Sequence, residues 1–205
     1  MPLVLQEDIL PEQILQAALH LYRKHGLKKV TMDDVSKAIG KSRSSLYYYY
    51  KNRDEIFEAV MDTLIRDVIN EIEVAVSKAA TVADKLRAFC LTKVKTSEDR
   101  KAFFSAIEAG MDFDEMSRHA QYMSQVHKRL MAAEATMLKA VLAGGAKSKE
   151  IRTLKPKELE TLIFVLLGGI RGIRRELQQE SSFARLEPAV DTLTGMTMQW
   201  LKKED

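Results

Sequence analysis

The sequence predicts an all-α protein in which a small N-terminal helix-turn-helix domain precedes a larger helical domain. Apolar residues recur every three or four positions along most of the 205 residues, and no segment shows the alternation typical of a β-strand. Residues 31–53 hold two short helical patterns separated by Gly40, which is the arrangement of a helix-turn-helix. We therefore predict a first domain at 1–53 and a second at 54–205.

The order of the helices follows from their apolar stripes and end signals. Pro11 and Gly26 suit the two ends of a first helix at 11–25. After the helix-turn-helix, one long helix spans 53–79 and links the two predicted domains. Further helices are predicted at 82–95, 99–109, 113–143, 156–179 and 186–203. Gly144 and Gly145 are interpreted as the start of a polar loop before the helix at Pro156.

Local capping chemistry supports the helix-turn-helix. Thr31 is a good N-cap and Asp34 three residues later completes a capping-box pattern, while Gly40 suits the turn after this helix. Ser42 then caps the second helix. Asn52 with Glu55 repeats the N-cap pattern at the start of the long helix.

The second helix of this motif has an outward face that suits a polyanion. Leu46 and Tyr50 share the inward side of a helical wheel, whereas Ser44 and Tyr48 point away from it. Hydroxyl groups contact phosphate oxygens, and Arg43 can bind a guanine edge. The alternative is a tyrosine-rich core helix, but four consecutive tyrosines cannot all point inward. The predicted DNA contacts are Thr31, Lys41, Ser42, Arg43, Ser44, Ser45, Tyr47, Tyr48, Tyr49, Lys51 and Arg53.

Residues 40–53, GKSRSSLYYYYKNR, resemble the signature of the TetR family of bacterial transcriptional regulators. The matching residues are Gly40, Ser42, Leu46, Tyr47, Tyr49 and Arg53. Lys41, Ser44 and Tyr50 depart from the usual Val, Gly and Phe. The resemblance implies a homodimer that binds an operator through this motif and a small effector through the rest of the chain.

Charge and composition agree with a DNA-binding N-terminal domain. Residues 1–53 hold nine Lys and Arg against five Asp and Glu, whereas the other 152 residues hold 23 against 24. Cys90 is the single cysteine, which excludes an intrachain disulfide and favours a reducing cytoplasm. Residues 1–10 lack the pattern of a signal peptide, and the apolar run at 159–173 is too short to cross a membrane. We expect a soluble, cytoplasmic protein without a membrane partner.

Two further groups of residues carry the expectations for the second domain. An aromatic and Met-rich set in the middle helices predicts an effector pocket, in agreement with the resemblance, although most of these side chains could equally be core. This set is Phe103, Phe104, Met111, Tyr122, Met123, His127 and Met131. Glycines within an apolar stripe of the last two helices predict a dimer interface, or else close packing within one chain. The predicted interface residues are Leu166, Gly169, Ile170, Gly172, Ile173, Leu193, Met196 and Trp200.

Enzyme and metal chemistry find little support. The sequence has no Gly-x-Ser-x-Gly, phosphate-binding Gly-rich loop or His-Glu-x-x-His motif. Glu115, His119 and His127 have a spacing that could bind a metal, but a solvated surface pair is the simpler interpretation. Cys90 is interpreted as a small core residue. We therefore predict no catalytic residue, metal or cofactor.

The sequence as a whole predicts a homodimeric DNA-binding transcriptional regulator. We expect a repressor that a small apolar or amphipathic ligand releases from a palindromic double-stranded operator. One alternative is a DNA-binding regulator without a small ligand, controlled by a protein partner or acting as an activator. Another, from a different class, is an all-α small-molecule carrier or enzyme whose tyrosine helix is simple packing.

Overall fold

The computed structural model describes residues 10–202, which form nine α-helices and no β-strand. The all-α prediction is therefore confirmed. In chain order the helices are α1 (Leu10–His25), α2 (Met32–Ala38), α3 (Arg43–Tyr49), α4 (Arg53–Ser77), α5 (Val82–Asp99), α6 (Lys101–Glu108), α7 (Phe113–Lys147), α8 (Pro156–Gln179) and α9 (Leu186–Trp200). The expectation about a signal peptide lies largely in residues 1–9, which are outside the described residues.

The chain divides into two compact units, and α4 and α7 contribute residues to both. Of the described residues, the first unit holds 10–66 together with Asp99–Val126, and the second holds Asp67–Glu98 and 127–202. The domain boundary predicted after residue 53 separates DNA-binding residues from the rest of the chain, whereas the two units are defined by packing. That boundary stays a prediction.

The first unit is built around α1, α2, α3 and the first part of α4. Leu46 of α3 is fully buried and packs in the same core as Val35 of α2 and Ile56 of α4, as the helical wheel predicts. The remaining buried apolar residues of this core are Ile14, Ala18, Tyr22, Val30, Met32, Phe57, Val60, Met61, Leu64, Phe103, Ile107 and Val126. This packing fixes the orientation of α3 and leaves its opposite side free for solvent.

The second unit has its own apolar core, contributed by parts of α4, α5, α7, α8 and α9. Cys90 lies in this core, and burial raises the pKa of its thiol to about 12. The interpretation of Cys90 as a small core residue is confirmed.

The predicted loop at Gly144 is wrong, because α7 continues through both glycines to Lys147. A Cβ atom built on Gly145 would lie 2.3 Å from Val82 Cγ2 and 3.3 Å from Ile151 Cγ1. Gly145 therefore allows α7 to approach the start of α5 closely, and it does not end the helix. The predicted end of α9 at 203 also differs, since this helix ends at Trp200.

Residues 10–202 also bear on the expectations about a membrane span and a metal site. None of the helices there combines the length and hydropathy needed to cross a lipid bilayer. The same residues hold no group of three His, Cys, Asp or Glu side chains arranged to bind a metal ion.

Candidate nucleic-acid interface

The beginning of α2 is fixed by a complete capping box. The Thr31 hydroxyl accepts a hydrogen bond from the backbone N–H of Asp34 at 3.2 Å, and the Thr31 N–H donates to the Asp34 carboxylate at 2.9 Å. The Thr31 hydroxyl also donates to this carboxylate at 2.6 Å. These hydrogen bonds hold the pKa of Asp34 below its ordinary value. The predicted capping box is therefore present, and Thr31 itself is exposed.

The turn between α2 and α3 depends on Gly40. Its φ of +64° lies in the left-handed region that favours glycine, and the next N–H, of Lys41, donates to the Ser36 carbonyl at 3.0 Å. Ser42 then caps α3 by accepting a hydrogen bond from the Ser45 N–H at 3.2 Å. The sequence predicted both features from residue type alone.

The outward side of α3 presents hydroxyl groups and one guanidinium. Tyr48 is 83% exposed, Ser44 and Tyr47 are exposed, and Ser45 is half-buried. Tyr49 is half-buried and packs edge-on against Tyr48, with ring centroids 4.9 Å apart. No carboxylate lies on α3 itself, so this surface offers donors and aromatic rings to a polyanion.

Arg43 is held along this surface by two neighbours. Its Nε lies 3.3 Å from the Asp33 carboxylate, and its Nη2 donates to the Tyr47 hydroxyl at 3.0 Å. The guanidinium also lies over the Tyr47 ring, 5.4 Å from the centroid. These contacts raise the pKa of Arg43, chiefly through the Tyr47 hydrogen bond. Arg43 is thus permanently charged and already oriented within the exposed face.

The three other predicted cations differ in their surroundings. Lys41 and Lys51 are exposed at the two ends of α3. Arg53 is half-buried, and its Nη1 donates to the backbone carbonyls of Leu27 and Lys28 at 3.3 and 3.1 Å. Arg53 therefore ties the first turn of α4 to the loop before α2, a structural role that the sequence did not indicate.

The predicted effector residues do not form one group. Phe103, Phe104 and Met123 pack in or against the core of the first unit, and the Phe103 and Phe104 rings are 5.4 Å apart. Met111 and Tyr122 line a cavity in that unit. His127 and Met131 lie in the second unit, where both contact Arg171.

The cavity of the first unit has a volume of about 260 Å³. Its walls come from the loop after α1, the first two turns of α4, and the beginning of α7 with Met111 just before it. The lining residues are Leu27, Lys28, Arg53, Asp54, Phe57, Glu58, Met111, Glu115, Arg118, His119 and Tyr122. The cavity therefore lies in the unit that carries α3, and it adjoins the contacts of Arg53 with the loop before α2.

The expectation that Glu115 and His119 form a solvated pair is wrong for His119. Only 7% of His119 is exposed, and its ring packs against Phe57 with centroids 6.0 Å apart. Burial lowers the pKa of His119, while the Glu108 carboxylate raises it less. A sequence signal existed, because His119 precedes Tyr122, Met123 and Val126 at helical spacing on one side of α7.

The predicted dimer residues fall on two different sides of α8 and α9. Leu166 and Ile170 are buried in the core of their own chain, Ile173 and Leu193 are half-buried against that core, and Gly169 packs against Leu193. The exposed apolar residues of the two helices are Phe164 (71%), Met196 (68%), Val165 (53%) and Trp200 (46%). Gly172 lies on this outer side with Gly168, and a Cβ on either would meet no atom within 4 Å. Phe164 and Val165 were not in the predicted set. The sequence could have indicated them, because both are large apolar residues that lie outside the buried stripe of α8.

These features together define a helix-turn-helix protein with an exposed, donor-rich recognition helix. Residues 14–60, from α1 into α4, match the family described as "Bacterial regulatory proteins, tetR family". The N-terminal segment of this chain therefore carries the DNA-binding region of the TetR family of bacterial transcriptional regulators, and the resemblance seen at residues 40–53 is confirmed. The chain is a DNA-binding transcriptional regulator.

Three relatives illustrate this similarity. Over 154 residues the chain is 21% identical to YhgD of Bacillus subtilis (strain 168), an uncharacterized HTH-type transcriptional regulator, and the match covers 75% of this chain and 76% of YhgD. It is 37% identical over 46 residues to IcaR of Staphylococcus epidermidis, a negative transcriptional regulator of the biofilm operon icaADBC, covering 22% of this chain and 25% of IcaR. The crystal structure of a transcriptional regulator from Cytophaga hutchinsonii superimposes with a TM-score of 0.68 at 20% identity, covering 96% of this chain and 100% of the other.

These similarities differ in how much of each relative they cover. Matches to several other curated proteins cover between 25% and 42% of those proteins. The Cytophaga structure is less than 25% identical, so that likeness concerns the fold. These relatives are transcriptional regulators and not enzymes, which points to a protein without catalytic activity.

Proposed function

We propose that this protein is a homodimeric repressor that binds a palindromic operator and is released from it by a small apolar or amphipathic ligand. The observation that carries the proposal is the outward face of α3, where Arg43, Ser44, Tyr47 and Tyr48 are exposed on a helix fixed by its own core. IcaR, which is 37% identical to this chain over 46 residues, is a negative regulator. That likeness supports repression as the sign of control.

Within this proposal, α3 lies in the major groove and its side chains divide into two classes. Arg43 reads a base edge, because a guanidinium can donate two parallel hydrogen bonds to guanine. Lys41 and Lys51, at the ends of the helix, contact phosphates and contribute affinity without sequence preference. Tyr47 and Tyr48 offer hydroxyl groups to phosphates and ring surfaces to the groove. Arg53 supports the motif through its contacts with Leu27 and Lys28 and is assigned a smaller direct role.

Substitutions that keep or remove the charge separate the base-reading side chain from the phosphate-contacting ones. Arg43→Lys keeps the charge but loses the planar pair of donors, so it should lower the preference for the selected site over random DNA by about 1–3 kcal/mol. Lys41→Ala and Lys51→Ala should weaken binding to both DNAs equally and reduce the salt slope by about 0.9 for each lost phosphate contact. Lys139→Ala, at an exposed lysine of α7 in the second unit, is the matched control. Unchanged site preference in Arg43→Lys would remove Arg43 from base recognition.

We propose that the exposed apolar face of α8 and α9 forms the dimer interface. Exposed large apolar side chains grouped on neighbouring helices are typical of protein–protein contacts. Gly168 and Gly172 lie beside Phe164 and Val165, so a second copy can approach the backbone of α8 closely. A two-fold arrangement would bury the same face of both copies and present two α3 helices to two half-sites.

A charge placed in this face tests the proposed dimer. Phe164→Glu and Met196→Glu should give monomers by light scattering, because each buries a carboxylate without a partner. Val74→Glu is the matched control, since Val74 is an exposed apolar residue of α4 outside the face. A dimer that survives both substitutions at the face would move the interface elsewhere.

The ligand-release part of the proposal is supported by the cavity of about 260 Å³ in the first unit. A ligand there would contact Phe57 of α4 and the loop whose carbonyls bind Arg53, and would thereby shift α4 against the helix-turn-helix. The ligand must then bind the DNA-free form better, and a hundredfold loss of DNA affinity needs about 2.7 kcal/mol of differential binding.

Reciprocity gives the test of ligand release. Any small molecule that native mass spectrometry finds on the purified protein should be titrated with and without operator DNA. The operator should weaken ligand binding by the factor by which the ligand weakens operator binding. Equal ligand affinity in the two titrations would contradict ligand control while leaving DNA recognition intact.

A further inference from the structure

A region of positive charge lies in the second unit where α7 ends and α8 begins. Residues 147–158, KSKEIRTLKPKE, hold five Lys and Arg against two Glu, whereas residues 54–205 as a whole carry 23 against 24. Lys202, just after α9, belongs to the same region because it lines one open groove with Lys149 and Arg152. We call the five exposed lysines of this region the basic surface: Lys147, Lys149, Lys155, Lys157 and Lys202.

Both glutamates of this segment are engaged by other groups. The Glu150 carboxylate accepts a hydrogen bond from the Val82 N–H at the start of α5, at 2.6 Å. The Glu158 carboxylate accepts from the Lys155 N–H at 2.8 Å and from Arg152 Nη1 at 3.1 Å, and these bonds hold its pKa below the ordinary value. Within the part of the chain that the structure describes, none of the five lysines forms an ion pair. The charge of the basic surface is therefore available to an external anion.

The backbone that carries the basic surface is held in place by Arg152. Its N–H donates to the Leu201 carbonyl at 3.0 Å, and its guanidinium lies over the Trp200 ring, 4.3 Å from the centroid. These contacts fasten the segment between α7 and α8 to the end of α9. Around them lies an open groove of about 910 Å³, to which Thr153 and Gln199 contribute a hydroxyl and an amide. The lysines thus lie on a fixed frame beside a mainly polar groove.

Lys149 occupies a backbone conformation that disfavours lysine. Its φ of +63° is left-handed, and it ends α7 in a Schellman motif, in which the Glu150 N–H donates to the Gly145 carbonyl at 2.9 Å. A side chain in this conformation brings its Cβ close to a carbonyl oxygen and costs free energy, which glycine avoids. Glycine takes the left-handed conformation after α1, α2 and α6, at Gly26, Gly40 and Gly110. A use for the lysine charge would explain why the cost at residue 149 is tolerated.

The chemistry of the basic surface favours phosphate groups as its partner. An ammonium is a compact charge that contacts phosphate oxygens without the fixed planar geometry of a guanidinium. Such contacts give affinity for nucleic acid without reading its sequence. Arg152, the one guanidinium in residues 147–158, is already bonded to Glu158 and is not available to read bases. Since the chain is a DNA-binding regulator, duplex DNA is the polyanion that it meets.

We propose that the basic surface contacts the phosphate backbone of duplex DNA without sequence preference. Each lysine that neutralises a phosphate releases counterions, so the surface raises the affinity for any duplex and not for the operator alone. Its five lysines are other residues than those of α3, of the cavity in the first unit and of the apolar face assigned to the dimer. The proposal goes beyond operator recognition, because it gives the protein a second DNA-contacting surface.

A variant without the predicted contacts of α3 isolates the basic surface. The full-length protein with Lys41→Ala, Arg43→Ala and Lys51→Ala, which we call the contact-deficient variant, is titrated with a short random-sequence duplex by fluorescence anisotropy at several salt concentrations. Binding should persist at low salt. The logarithm of the binding constant should fall with the logarithm of the salt concentration by about 0.9 for each phosphate contact that remains. Absence of any binding at low salt would overturn the proposal.

Substitution of three lysines in the contact-deficient variant assigns this remaining binding. Lys149→Gly, Lys155→Gln and Lys157→Gln together should weaken the duplex at least tenfold and reduce the salt slope by about 0.9 for each lost contact. The matched control removes the same charge from three exposed lysines elsewhere in the second unit: Lys95→Gln, Lys128→Gln and Lys139→Gln. Equal weakening by the two triple variants would show an effect of net charge alone and would overturn the proposal.

Lys149→Gly by itself separates the charge from a structural role. Glycine fits the left-handed backbone without strain, so the melting temperature of this variant should rise. Loss of the ammonium should nevertheless weaken the random duplex and reduce the salt slope by about 0.9. Circular dichroism checks the fold. Unchanged duplex binding in the folded variant would contradict the role assigned to Lys149.

Other polyanions test the class of partner. Vesicles of phosphatidylglycerol and poly-glutamate should bind the contact-deficient variant more weakly than the duplex does, because duplex DNA carries one charge for about every 1.7 Å of its axis. Tighter binding to either of them, lost with the three substitutions at Lys149, Lys155 and Lys157, would assign the surface to a membrane or to an acidic protein. That result would overturn the proposal for DNA.

The outcomes are independent of the proposed repressor function. Selection of an inverted repeat by the wild-type protein reports on α3, whereas duplex binding by the contact-deficient variant reports on the basic surface. A wild-type protein that selects an operator, with a contact-deficient variant that binds no duplex, would refute only the basic surface. Duplex binding by that variant without any operator selected by the wild type would refute only the proposed operator recognition.

Discussion

Alanine at two adjacent glycines of α7 should change the free energy of unfolding in opposite directions. A Cβ on Gly144 would meet no atom within 4 Å, so Gly144→Ala should stabilise the protein by about 0.5–1 kcal/mol through the helix propensity of alanine. A Cβ on Gly145 would lie 2.3 Å from Val82 Cγ2, and valine has little rotamer freedom to move away. Overpacking of this kind costs about 1–3 kcal/mol.

The prediction is a difference in the free energy of unfolding between Gly144→Ala and Gly145→Ala. Gly145→Ala should be less stable than Gly144→Ala by about 1–3 kcal/mol, which for a chain of this size corresponds to roughly 2–4 °C of melting temperature per kcal/mol. Urea unfolding at one fixed protein concentration measures it, because the apparent stability of a dimer depends on concentration.

A double-mutant cycle shows whether the clash is the cause. Val82→Ala removes the atom that the new methyl group would meet, so its effect in the Gly145→Ala background should be smaller than in the wild type. The coupling free energy should be about 0.5–3 kcal/mol. Equal stabilisation by alanine at both glycines, or a coupling near zero, would refute the close approach of α7 to Val82.

Four further predictions concern individual side chains. Thr31→Ala should destabilise the protein by about 1 kcal/mol, measured by urea unfolding, because it removes the cap of α2. The pKa of Asp34 is lower in the folded state than in the unfolded state. Its stabilising contribution is therefore complete above the unfolded pKa and disappears as the pH falls through the folded pKa. Between pH 6 and pH 2, the free energy of unfolding of Asp34→Asn should fall less than that of the wild type. Leu46→Ala should cost about 2–5 kcal/mol and reduce operator affinity, as measured by unfolding and by DNA titration, because Leu46 anchors α3. Cys90, with its pKa raised to about 12, should react with a thiol reagent at pH 8 only after unfolding, as measured by absorbance of the released product.

Features that depend on neighbours in the sequence could be predicted. The Thr31 capping box, the Gly40 turn and the Ser42 cap each involve residues at most a few positions apart, and the structure shows all three. The inward position of Leu46 also follows from helical periodicity within one short segment. The family signature lies in the same residues, which is why both fold class and DNA binding were accessible.

Features that depend on distant residues could not be predicted. Periodicity shows that a side chain points inward but does not identify what it will meet. Arg53 was interpreted as a DNA contact, and its bonds to carbonyls 25 and 26 residues away become visible only in the fold. The predicted effector residues were grouped as an aromatic and Met-rich set, but the fold distributes them between a core, a cavity and the second unit.

Glycine was the least reliable signal in the second unit. Gly144 and Gly145 indicate a loop by composition, yet α7 continues through both, and the close approach of Val82 explains why residue 145 is a glycine. On α8, Gly169 packs against Leu193 of its own chain whereas Gly168 and Gly172 face outward; the sequence offered both roles for these glycines but did not assign them.

Selection of DNA from a random duplex pool tests the central claim most directly. The wild-type protein should enrich an inverted repeat whose half-sites are separated by about one helical turn, because a two-fold dimer presents two α3 helices. The folded Arg43→Ala variant should enrich a more degenerate sequence at the position that Arg43 reads, whereas Lys139→Ala should enrich the wild-type site. Failure of the wild-type protein to enrich any duplex would contradict the assignment of α3 as a recognition helix.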